Sequence, residues 1–212
     1  MLFNADTHLI VAIQLGVATL LASLANWLLV SDTLYFNAYA EQLSYEQIQG
    51  LLQQGERYQW IGYVLVPVVY LLKLTLVGSC LSLCLYLWRG QFQFGACFRV
   101  AAVAETVFWL SALGKVLWFL LVQTDYNLQD LQYFFPLSAL NLFDHQTLDP
   151  WLVYPLQLLN VFEMLYWLML AYGLVSVAGV SFERGIGMVA SSYGAGLLLW
   201  VVLVMFLTVS LT

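Results

Sequence analysis

Four charged side chains lie inside apolar runs, where charge is costly: Lys73, Glu105, Lys115 and Glu163. An isolated charge at mid-bilayer costs roughly 3 kcal/mol or more, so each needs a partner, a route to the surface, or water. Counted at about 1.5 Å per residue, Lys73 and Glu163 each fall roughly 18 Å from the outer ends of their runs. Similar depth and opposite sign make these two the expected pair. Lys115 lies nearer the outer end of its run and can snorkel. Glu105 lies nearer the inner end, about 15 Å along the helix from Lys115, too far for direct contact. Two readings fit the four residues. One is a polar pathway for a proton, an ion or a lipid headgroup. The other is a buried ion pair that fixes the register of two helices. Two acids and two bases balance in sign, which favours the ion pair.

Other chemistry is thinly represented. Cys80 and Cys84 stand one helical turn apart without a neighbouring His, Asp or Glu. A zinc site needs more ligands than that, so these two and Cys97 read as small buried apolar residues. Asp144, His145 and Asp149 offer three ligands in an acidic segment, but Asp149 before Pro150 reads as an ordinary helix N-cap. The chain carries no HExxH, GxSxG, P-loop or GxGxxG pattern. A non-enzymatic protein without cofactor or metal is the expectation.

The elements that must hold these residues are spans. The chain is 63% hydrophobic and 8% charged, against roughly a quarter charged in a soluble domain. The apolar runs do not alternate, which excludes a barrel and leaves helices as the way to satisfy the backbone in lipid. One all-α membrane domain of five spans is expected, at 9–30, 60–88, 97–122, 151–180 and 185–211. The first run has no preceding Lys or Arg and is long for a signal peptide, so it reads as a retained span. In it Ala12, Gly16 and Ala22 offer close helix contact, and Gln14 and Asn26 offer bonds within the bundle. Pro67 is expected to kink the second span. Gly187, Ala190, Ser191 and Gly194 give the last span a small-residue packing face.

Two polar segments, 32–59 and 123–150, lie between spans on one side. In the first, Ser44-Tyr45-Glu46-Gln47 has the form of a capping box, and a short helix at the interface is expected after it. In the second, Leu131, Tyr133, Phe134, Phe135, Leu137 and Leu140 are too apolar for a solvated loop. One or two short helices on the membrane face, interrupted at Pro136, are expected there. Arg89, Arg99 and Arg184 flank the opposite turns, whereas Arg57 is alone on the polar-segment side. The positive-inside rule then puts the N-terminus in the cytoplasm and the C-terminus outside. A net charge of −6 argues against nucleic acid as a partner.

Gly90, Phe92, Phe94, Gly95 and Arg99 form a glycine-bearing turn with aromatics that leads into an apolar helix. Near the end, the Gly-Leu segment Tyr172-Gly173-Leu174 is followed by the short polar turn Ser181-Phe182-Glu183-Arg184 and a small-residue helix from Gly185. Together these resemble bacterial Yip1-domain membrane proteins over residues 60–211, as do five spans with the N-terminus inside. The long N-terminal region and the Asp-Leu-Tyr-Gly-Pro type motif of eukaryotic members are missing, so vesicle-traffic roles do not carry over. The resemblance implies an inner-membrane accessory protein working through membrane partners or lipids, with no catalytic residues to transfer. The alternative is a small permease, or a permease-type subunit, moving an ion, lipid or solute past Lys73, Glu105 and Glu163.

Overall fold

Residues 6–144 and 147–211 are described by the computed structural model, and among them are ten α-helices and no strand. Five continuous helical stretches are long and apolar enough to cross a membrane. The chain is thus an all-α polytopic protein. The elements are α1 (Thr7–Leu29), α2 (Asp32–Tyr39), α3 (Tyr45–Arg89), α4 (Phe94–Ala104), α5 (Thr106–Leu121), α6 (Leu128–Tyr133), α7 (Pro150–Leu158), α8 (Val161–Ala178), α9 (Phe182–Val189) and α10 (Ala195–Leu211).

The hairpin of α3 and α4 is the centre of the bundle. Gly90 ends α3 in the left-handed region at φ 69°, a conformation glycine adopts without steric cost. Ser82 Oγ accepts the backbone N–H of Gln93 at 3.1 Å and ties the turn to the helix. At Gly78 a Cβ would stand only 3.0 Å from Phe98 Cα. The two backbones touch there, which sets the register of everything above. α8 crosses α4 just as closely, since a Cβ on Gly173 would overlap Val100. The core is made of Leu74, Val77, Leu81, Val100, Ala101, Leu170, Leu174 and Val189, all buried, with Tyr166 and Tyr193 among them.

Several expectations hold in detail. The Ser44–Gln47 capping box is formed. The second polar segment contains α6 and a 3-10 turn, Ala139–Leu142, on either side of Pro136. Gln14 is bonded inside the bundle.

Other expectations change. The interfacial helix and the second span are one element: α3 runs unbroken for 45 residues, with Pro67 inside it. At about 1.5 Å per residue it is more than twice as long as the roughly 30 Å hydrocarbon core. Every residue of 49–65 is exposed except Leu52, which is half-buried. The fourth span is two helices, α7 and α8, broken at Leu159 and Asn160. The third is interrupted at Glu105, and the fifth contains a π-helical turn, Ala190–Gly194.

Small residues sit differently than their spacing suggests. Ala12, Gly16, Ala22 and Asn26 of α1 are exposed, as are Gly187, Ala190 and Ser191. The contacts are made by Gly185, whose Cβ would lie 2.9 Å from the Ala171 carbonyl, and by Gly194, packed on Trp167. Asp149 precedes Pro150 at the first turn of α7, but its side chain makes no capping bond.

Candidate functional site

The hairpin register brings Lys73 to Glu105, not to Glu163. From the Gly78–Phe98 contact, Lys73 lies five residues up α3 and Glu105 seven residues up the facing helix of the hairpin, a height difference of about 3 Å. The Lys73 ammonium is 2.9 Å from Glu105 Oε1 and donates to Oε2 at 3.2 Å. The carboxylate side chain is 4% exposed and the lysine 41%. Counting depth from the outer helix ends misplaced the pair, because α3 begins far outside the bundle and α8 begins inside it. The shared turn was the better origin.

Aromatic rings complete the lysine's surroundings. Its Nζ stands 4.1 Å from the centroid of Phe108 and 5.3 Å from that of Tyr166, within cation–π range. Tyr166 is fully buried, with its ring 5.1 Å from Phe108 and 5.4 Å from Tyr193. Its hydroxyl has no hydrogen-bond partner among the described residues, an expensive arrangement for a buried polar group.

Glu163 lies on the far side of Tyr193. Its Oε1 accepts the Tyr193 hydroxyl at 2.7 Å and the Trp167 indole N–H at 3.0 Å. The break in the fourth span creates its setting. Asn160 Oδ1 caps α8 by accepting the Glu163 backbone N–H at 2.7 Å, while Asn160 Nδ2 donates to the carbonyls of Gln157 and Leu158. Glu163 thereby occupies the first turn of α8, where helix dipole and free N–H groups favour an anion. The π-helical turn Ala190–Gly194 carries Tyr193 inward to meet it; such turns often mark functional positions.

A second polar contact flanks the first. Tyr70 donates to Gln14 Oε1 at 2.9 Å, and Gln14 Nε2 donates to the Ala102 carbonyl at 2.8 Å. Lys115 is separate from all of these. It donates to the Leu131 carbonyl at 2.7 Å and lies 4.8 Å from the Phe135 ring. It leans towards the 123–150 segment, as a snorkelling lysine does.

Of the four charges singled out from sequence, two pair, one joins a tyrosine–tryptophan cluster, and one leaves the bundle centre. Sequence reasoning missed Tyr70, Phe108, Tyr166, Trp167 and Tyr193. Asn160 had a legible signal, since Asn followed three residues later by Glu is a capping pattern inside an apolar run. His145 lies outside the described residues, so the Asp144–His145–Asp149 grouping cannot be placed. The cysteines Cys80, Cys84 and Cys97 are all free thiols, with Cys97 buried in the hairpin. No family model matches the chain, and neither a curated protein nor a solved structure matches it.

Proposed function

We propose that this chain is a non-enzymatic, Yip1-like accessory protein of the bacterial inner membrane that works by binding other membrane proteins. The observation that carries this reading is the uncovered stretch of α3. Residues 49–65 form a helix that is exposed nearly all round, including Tyr58, Trp60 and Tyr63. Gly50, Gly55 and Gly62 have open space where a Cβ would be. Three glycines weaken a helix by roughly 1 kcal/mol each relative to alanine, and most helical stability comes from packing against a neighbour. A partner lying along this face supplies the missing packing, and the glycines let its backbone approach closely.

Transport past Lys73, Glu105 and Glu163 is the second reading, favoured by the convergence of polar side chains from all five spanning stretches. Against it, Leu74, Ala101, Ala104, Tyr166 and Leu170 of the bundle core are each fully buried.

Photo-crosslinking in native membranes tests the proposal. A benzophenone amino acid at Leu51, Tyr58 or Val64 should give one protein adduct of constant mass, while the same probe at Leu203 on α10 gives lipid adducts. Lipid adducts alone at all four positions would refute a partner surface on α3.

A further inference from the structure

We propose that the lateral groove beside Glu163 binds a lipophilic amine: one protonated nitrogen carried on an apolar body. The groove lies between the α7–α8 break and the α9–α10 arm, with a volume of about 630 Å³. That is the size range of small-molecule sites. Leu159, Met164, Leu168, Ile186, Leu198 and Val201 are among its walls, and the polar side chains lining it are Asn160, Glu163 and the Trp167 indole. None of the lining residues is basic.

Glu163 is 8% exposed and lines this groove. Its Oε1 is occupied by Tyr193 and Trp167, whereas Oε2 receives no hydrogen bond from the described residues. Lys73 is committed to Glu105 and Lys115 to a carbonyl, so neither supplies a cation. A cationic partner stabilises a buried carboxylate. The groove offers such a partner an apolar wall and a single anionic end. A cationic nitrogen can donate a charge-assisted hydrogen bond to Oε2 while its apolar body fills the groove. A zwitterionic phospholipid fits poorly, because its phosphate would approach Glu163 with no Lys or Arg to receive it. The inference is independent of the α3 contact surface, which lies on another part of the chain.

Titration calorimetry on the purified full chain in detergent micelles tests it, with octylamine as probe and octanol, octanoate and short-chain phosphatidylethanolamine as comparators. Octylamine should saturate one site, with the other three at least about tenfold weaker, as expected for loss of one charged hydrogen bond. Glu163→Gln keeps an oxygen for Tyr193 and Trp167, so the fold is retained, yet octylamine should fall to the level of octanol. Leu198→Trp, which fills the groove away from the carboxylate, should weaken octylamine without touching Glu163. Equal binding of octylamine and octanol, equal binding of the phospholipid, an unchanged affinity in both variants, or no saturable binding would each overturn the proposal.

Discussion

Replacing Lys73 by Met removes the countercharge of a carboxylate whose side chain is 4% exposed and whose Oε1 and Oε2 both lie within 3.2 Å of that lysine's ammonium. Breaking a buried pair in this way costs about 3–5 kcal/mol. The reverse change, Glu105→Leu, leaves a lysine that is 41% exposed and still lies over the Phe108 ring. Its long stem can move the charge outward, so a smaller loss of about 1–2 kcal/mol is expected. With both changed, the site becomes apolar like its surroundings and most of the loss should return, leaving about 1 kcal/mol. The coupling between the two positions is then about 3 kcal/mol or more. Reversible unfolding in mixed micelles, read by circular dichroism, measures all three variants and the parent. The same cycle between Lys73 and Glu163 should be additive within about 0.5 kcal/mol. Additivity at Lys73 and Glu105, or strong coupling of Lys73 to Glu163, would refute the hairpin register as the source of the pair.

Asn160→Ala removes the cap of α8 and two bonds to the carbonyls of α7; a loss of about 1–2 kcal/mol in the same unfolding measurement is expected. Gly173→Ala drives a methyl into Val100 and should cost about 1–3 kcal/mol, whereas Gly187→Ala meets open space and should be neutral or stabilising by about 1 kcal/mol. Equal effects at the two glycines would mean that α4 and α8 do not cross where Gly173 and Val100 place them.

The spans were legible because 20-residue apolar runs leave the backbone one solution in lipid. The Ser44 capping box and the Pro136 interruption were legible because both are local. What failed was anything that depends on which face of a helix turns inward. Every face of a spanning helix is apolar, so periodicity says little about the core, and Gly16 and Gly187 could not be told from Gly78 and Gly173 by spacing. The same limit hid Tyr166 and Tyr193, which in sequence are two more aromatics in greasy runs. Only their position between two carboxylates makes them part of a site, and that position is set by the helix crossings at Gly78 and Gly173.

The count of two acids and two bases suggested charges that cancel, and the structure divides them differently. Lys73 neutralises Glu105, Lys115 donates to a carbonyl, and Glu163 is held by Tyr193 and Trp167 with no basic side chain beside it among the described residues. Holding it requires several costly local features that meet at one place. A continuous fourth span would put Glu163 in mid-helix, without free N–H groups nearby; breaking the span at Asn160 makes it a first-turn residue. The broken ends are closed by the 137–139 segment, where Ala139 N–H donates to the Leu159 carbonyl and Val161 N–H to that of Leu137. Leu137 sits there at φ 53°, a conformation that costs a leucine about 1–2 kcal/mol. The π-helical turn that delivers Tyr193 adds a further departure from regular helix. Packing alone gives no reason to retain these costs, since an apolar residue at 163 would need neither the break nor the turn. An ion pair that merely sets register is accounted for at Lys73 and Glu105. The features gathered around Glu163 are of another kind, and they are what a site built to hold an anion beside an apolar groove requires.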